Sequence, residues 1–192
     1  MLNKILPLCC ALCLLTGCSN ARRIETASVI ENVCVSCPDG KLCYTFFLLE
    51  DSDKPHAVTV PAASFEEAQR LAEKQVIPHM TLAKLELLLI GQDVSRDVLR
   101  RDIDYISTQA YFSPVAHVAL CDEGTLRRLK RDSGAQELIE RQIDLLHSEK
   151  PEVKASYLSV FNACARRESF EVPLITADRE LRVSSKTVTP AP

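Results

Sequence analysis

The chain has 192 residues, with 26 Asp+Glu against 23 Lys+Arg, 46% hydrophobic residues and no Trp. That is room for one hydrophobic core, and the composition is neither that of a disordered chain nor that of a collagen. A formal charge of -3 with both signs intermixed leaves no basic patch for nucleic acid, and no apolar run reaches the roughly 18 residues of a membrane-spanning helix.

Residues 1–4 form a short n-region whose one side-chain charge is Lys4, and residues 5–15 form an apolar h-region too short to span a bilayer as an ordinary transmembrane helix. The run ends in Leu15-Thr16-Gly17-Cys18, which resembles the lipobox of bacterial lipoproteins. Small residues ahead of the cysteine suit a narrow peptidase pocket, and the Cys18 thiol is the nucleophile that takes the lipid. The resemblance implies cleavage between Gly17 and Cys18, a diacylglyceryl thioether on Cys18 and acylation, as by palmitate, of the new amino group. An ordinary secretory signal would leave unexplained why Cys18 stands where the h-region stops. Residues 1–17 are therefore expected to be a lipoprotein signal peptide and 18–23 a lipidated tether. Two or three acyl chains hold a protein on a membrane far better than one, at about 0.8 kcal/mol per buried methylene.

Beyond the tether, residues 24–35 and 42–49 are β-rich and flank Pro38-Asp39-Gly40, a turn signal because Pro presets φ and Gly accepts φ > 0. A hairpin is predicted, followed by a short strand over 57–60 that stops at Pro61. Ser64-Phe65-Glu66-Glu67 reads as a capping box, with Glu67 reaching back to the Ser64 amide, and Phe65, Ala68, Leu71 and Ala72 recur at helical spacing. Residues 85–90 form an apolar run closed by Gly91, short enough for a strand buried on both faces. Asp93 or Ser95 can cap a second helix to about Thr108, and 115–121 reads as another buried strand. This helix, strand, helix, strand order builds parallel pairing. Helices are expected over 125–131 and 135–146, and a further one with Pro151 in its first turn and Tyr157, Leu158, Phe161, Cys164 and Ala165 on one face. Strands are expected at 170–175 and 181–183, then a tail over 187–192. The expected class is α/β or α+β, a single domain with a mixed central sheet and helices packed on it.

The cysteines carry the most suggestive chemistry. Cys34, Cys37 and Cys43 lie close in sequence and leave several readings open. A zinc site wants four ligands, which only the distant His56, Cys121 and Cys164 could complete. Redox catalysis wants a helix N-terminus to lower the thiol pKa, whereas this pair precedes a turn between strands. A local disulfide from Cys34 or Cys37 to Cys43 suits an exported chain, and buried free thiols are the plainest alternative. His56, His79, His117 and His147 lack ligand spacing, five glycines allow no phosphate loop, and no Gly-x-Ser-x-Gly elbow occurs. Asp97, Asp102 and Asp104 among Arg96, Arg100 and Arg101 read as a solvated helix face, as do Arg127, Arg128, Lys130 and Arg131. No catalytic residue, metal or cofactor is expected.

Taken in order, the lipobox, Ser64-Phe65-Glu66-Glu67-Ala68, Leu85-Glu86-Leu87-Leu88-Leu89-Ile90-Gly91 with Gln92-Asp93-Val94, Ile103-Asp104-Tyr105-Ile106 and Val115-Ala116-His117-Val118-Ala119-Leu120 resemble the N-terminal domain of the Ger(x)C family. Its members are the lipoprotein C subunits of spore nutrient-germinant receptors. Val172-Pro173-Leu174 and Leu181-Arg182-Val183 resemble the stretch that joins the family's first and second domains. The resemblance implies a domain over 24–176, the start of that joining segment and a C-terminal tail over 177–192, and a short, divergent or truncated member of the family. It further implies a non-catalytic receptor or assembly subunit on the outer face of a Gram-positive cytoplasmic membrane, later the spore inner membrane. Its partners would be the multi-span A and B subunits, with the nutrient ligand unspecified. A second reading is a small-solute-binding lipoprotein with its ligand at the carboxyl edge of the sheet near Gly91 and Cys121.

Overall fold

The computed structural model describes residues 27–49, 56–77, 79–109, 111–132, 134–178 and 180–189. Strands β1 (Ser28–Ser36) and β2 (Cys43–Leu48) pair antiparallel as the expected hairpin, and β3 (His56–Pro61) adds antiparallel to β2. The turn between β1 and β2 holds Asp39 and Gly40 at φ 53° and 75°, conformations that short polar residues and glycine adopt at least cost.

Helix α1 (Phe65–Gln75) starts at Ser64, whose hydroxyl accepts from the Glu67 amide. The Glu67 carboxylate accepts from the amide of Ala63, at 2.8 Å, and not from Ser64 as the capping box predicts. The box thus closes one residue earlier, on a chain that enters the helix extended. Next come β4 (Met80–Thr81) and β5 (Leu87–Gly91), both parallel to β1 and separated along it by a bulge between Ile30 and Asn32.

Helix α2 (Arg96–Ser107) is capped by Ser95, leaving Asp93 in the loop ahead of it. Strand β6 (His117–Cys121) begins two residues later than the sequence suggests, with Val115 exposed in the preceding turn. Helix α3 (Glu123–Leu129) starts earlier than expected because Asp122 caps it, accepting from the Thr125 amide. Helix α4 (Ala135–Glu149) follows, and then α5 (Tyr157–Arg166).

Pro151 does not open α5. The helix begins six residues later, where the Ser156 hydroxyl accepts from the Ser159 amide. The preceding backbone is already engaged in the sheet: the Val118 amide donates to the Ala155 carbonyl at 2.8 Å, and the Lys154 amide to the Glu171 carbonyl at 2.7 Å. Residues 154–156 therefore wedge between β6 and β7 (Phe170–Ala177), which pair directly only at Leu120–Leu174 and Cys121–Ile175. The final strand β8 (Leu181–Val188) is antiparallel to β7 over eight residue pairs and ends on the buried Val188. Residue 176 lies inside β7, and Thr187 and Val188, expected in the tail, belong to the sheet.

The result is an α/β fold, a mixed sheet ordered β3-β2-β1-β5-β6-β7-β8, with β4 on β1. The parallel strands β1, β5, β6 and β7 give the sheet a carboxyl edge, where β5 ends at Gly91 and β6 at Cys121, and an amino edge, where β1 starts. Helices α1, α2 and α5 cover one face, burying Phe65, Ile103 and Tyr157 against Tyr44, Phe46 and Leu88, while α3 and α4 bury Leu129, Ile139 and Ile143 against Leu87, Leu89 and Cys34 on the other. Phe65, the first residue of α1, meets the rings of Tyr44 and Phe46 edge-on at 5.9 and 5.7 Å, the geometry favoured by opposed ring quadrupoles.

Candidate functional site at the carboxyl edge

The chain leaves β5 for α2 on one face and leaves β6 for α3 on the other, so the two connections diverge and open a crevice between them, as parallel α/β sheets do at such points. The crevice, of about 260 Å³, is lined by Cys34, Ser36, Gly91, Gln92, Asp93, Cys121, Asp122, Glu123 and Leu126. Its floor depends on Gly91. A Cβ there would sit 3.2 Å from the Val35 carbonyl oxygen and 3.3 Å from the Ser36 Cα. With no side chain on that stretch of β5, the thiols of Cys34 and Cys121 meet over it, their sulfurs 3.9 Å apart and both buried.

This pair is not placed for a disulfide. Cys34 is on β1 and Cys121 on β6, with β5 between them. Two inter-strand spacings of about 4.8 Å put the Cα atoms beyond the roughly 7 Å that a disulfide spans without backbone movement. The hydrogen bond with Cys34 and then burial hold the Cys121 thiol well above the usual thiol range, and the nearby Asp122 and Asp93 carboxylates add to the effect. A nucleophilic cysteine needs the opposite environment.

The local disulfide expected from Cys34 or Cys37 to Cys43 is not formed, and all three are free thiols. The hairpin register accounts for Cys34: Thr45 stands opposite it and Ser36 opposite Cys43, so Cys34 and Cys43 are offset by two residues. Cys164 lies away from the others on α5, its thiol pushed up by burial. Among the described residues no group of three or more His, Cys, Asp or Glu side chains is placed to hold a metal ion. Gly17 and Cys18 lie outside the described residues.

Asp122 organises the crevice wall. One of its oxygens accepts from the Thr125 amide at 2.8 Å and the Thr125 hydroxyl at 2.7 Å, and the carboxylate also takes the Ala177 amide at the end of β7. Opposite, the Lys186 ammonium on β8 donates to the Gln92 side-chain oxygen at 3.0 Å, while the Gln92 amide donates to the Cys121 carbonyl. The basic stretch on α3 is engaged at Arg127 with Glu123, at Arg128 with Asp132, and at Lys130 with the Thr59 hydroxyl.

Two polar clusters lie away from the crevice. Asp102, read from sequence as part of a solvated face, is buried: its carboxylate accepts from the Tyr44 hydroxyl at 2.6 Å and the Phe65 amide at 3.2 Å, with the Arg101 Nε 3.3 Å away. Burial raises its pKa above the usual carboxylate range, opposed by these partners. A signal for this was present, because Asp102 stands three residues from Leu99 and four from Ile106, inside the apolar stripe of α2. The second cluster joins Asn32, Glu86, Gln136 and Glu140 through the Gln136 amide, which donates to Glu86 at 2.7 Å and Glu140 at 3.0 Å and whose oxygen accepts from Asn32. Burial first, and then the Glu86 carboxylate, push the neighbouring Glu31 upward, and burial likewise raises Glu140. His117 meets Asp144 at 3.6 Å, His147 contacts the Val153 carbonyl, and His56 starts β3; none lines the crevice.

Fold and crevice together define an α/β domain with a small crevice lined by acidic side chains and by the Cys34 and Cys121 thiols. Beyond that class, comparison with protein-family models, curated proteins and solved structures gives no match.

Proposed function

We propose that this protein is a lipid-anchored lipoprotein acting in spore germination as a non-catalytic receptor or assembly subunit, resembling the C subunit of a nutrient-germinant receptor. The observation that carries the reading is Leu15-Thr16-Gly17-Cys18 at the end of the apolar leader; the ordered motif series supports the family. The domain is held beside the outer face of the membrane by the acylated Cys18, which raises its effective concentration around multi-span partners. The raised Cys121 thiol and the hydrogen-bonded Asp122 suit a structural subunit better than a thiol enzyme.

The test is nutrient-triggered dipicolinate release from spores lacking the gene and from spores carrying only Cys18→Ala. Loss of response to one nutrient in both, with other triggers intact, is the expected result. Wild-type germination in both strains overturns it.

The crevice beside Gly91 and Cys121 favours a second reading, a solute-binding lipoprotein. At about 260 Å³ it falls just below the roughly 300–1,000 Å³ of ordinary ligand pockets, which limits it to a small solute. Saturable, ligand-dependent thermal stabilisation of the full chain in a screen of small amines and amino acids would favour it.

A further inference from the structure

We infer that the amino edge of the sheet is the surface that lies against the bilayer, an inference that rests on the lipid anchor proposed above. Among the described residues the large hydrophobic side chains left exposed are Leu49, Val76, Tyr111, Val115, Leu158 and Leu145. The topology gathers the first five at one edge. Leu49 follows β2 and its amide donates to the Val29 carbonyl at the start of β1. Val76 ends α1, four residues before Met80, which pairs with Ser28. The next residue but one, Leu82, bridges to Phe112, so a short ladder runs from the start of β1 through 80–82 to the loop that carries Tyr111 and Val115. Leu158 joins the same loop, its amide donating to the Pro114 carbonyl. Leu145 lies on α4, next to Asp144, which meets His117 at the start of β6.

The chain reaches the described fold at this edge. Ser28 begins β1, and the residues from Ser19 to Ala27 span at most about 30 Å when fully extended. A lipid on Cys18 thus keeps the start of β1 within about 30 Å of the bilayer. Val115 and Tyr111, 74% and 65% exposed, seat in the headgroup–acyl boundary, where apolar side chains of peripheral proteins lodge about 5–10 Å deep. They supply the second membrane contact that steadies a tethered domain.

The chain has no Trp, so a single introduced indole reports one position. Val115→Trp at the amino edge and Lys41→Trp, at an exposed extended residue of the β1–β2 turn on the carboxyl edge, are made in the full-length lipoprotein and reconstituted into phosphatidylglycerol–phosphatidylethanolamine vesicles containing brominated acyl chains. Mass spectrometry establishes the lipid on Cys18 first. The expected result is a blue-shifted indole at position 115 that loses most of its emission to the brominated lipid, with position 41 unquenched. Equal quenching at both positions, or none at 115 in a chain that carries the lipid, overturns the orientation. A blue shift at 115 that grows with protein concentration in detergent, without quenching in vesicles, assigns the edge to a second copy and overturns it too. A chain without the lipid mass removes the anchor itself and the orientation with it, a failure separate from a lipidated chain whose edge stays dry.

Discussion

Asp102 has the highest stakes of any single side chain in the fold, because a buried carboxylate is tolerable only while its partners hold. Asp102→Ala strands the Tyr44 hydroxyl and the Phe65 amide together, and leaving buried donors unpaired costs about 1–3 kcal/mol each. A fall of roughly 2–4 kcal/mol in urea-unfolding free energy is expected, with Tyr44→Phe costing less because the carboxylate keeps its other contacts. The Glu31 and Glu140 carboxyls titrate in the opposite sense from a salt-bridged acid. Their folded pKa values lie above the ordinary 4.5, so between that value and the raised one the native state binds more protons than the unfolded chain. Their stabilising contribution is complete below 4.5 and is lost as pH rises through the raised folded value. Glu140→Gln is therefore expected to raise the melting temperature at neutral pH and to flatten its dependence on mild acidification, read by thermal melts across pH. How much of this was legible differs residue by residue. The charge density of 96–104 hid Asp102 although its spacing from Leu99 betrayed it. Cys34 and Cys121, 87 residues apart, meet only because β5 and its terminal glycine lie between their strands, which no local pattern encodes.

Elements whose signals are local were legible at once. Ser64 and Ser95 cap α1 and α2 where hydroxyl and helical periodicity said they should, and Ser64→Ala is expected to cost about 1 kcal/mol in chemical unfolding. The wedge at 154–156 was not legible, because a proline in good position for a helix start competes with backbone hydrogen bonds to two strands that are distant in sequence. The bonds won, displacing α5 to Ser156. Helix α3 shows how tightly an element end is fitted: a Cβ on Gly124 would collide with the Ala177 carbonyl oxygen, a backbone atom, whereas at Gly91 the nearest atom is the movable Asp93 carboxylate. Gly124→Ala is therefore expected to destabilise more than Gly91→Ala, by about 1–3 kcal/mol for a forced backbone shift, in the same unfolding assay.

At the scale of the whole molecule, the α/β class, the parallel succession of β5 and β6 and the hairpin were readable from periodicity, while the extension of the sheet through Val188 was not, since Leu181–Val188 alternates weakly and its outer side chains are polar. That polarity has a purpose at a sheet border, where Arg182 and Lys186 discourage another strand from pairing. Anchoring itself is checked by fractionation: Cys18→Ala is expected to shift the protein from the membrane to the soluble fraction. The placement of β1 adds a mechanical consequence. This first strand of the described fold is bonded on one side to β2 and on the other to β4 and β5. A pull transmitted through the leading end runs along β1 and loads both ladders in shear at once, so many hydrogen bonds must fail together. Had the leading strand been β8 at the border, the same pull would open bonds one after another and peel the domain apart.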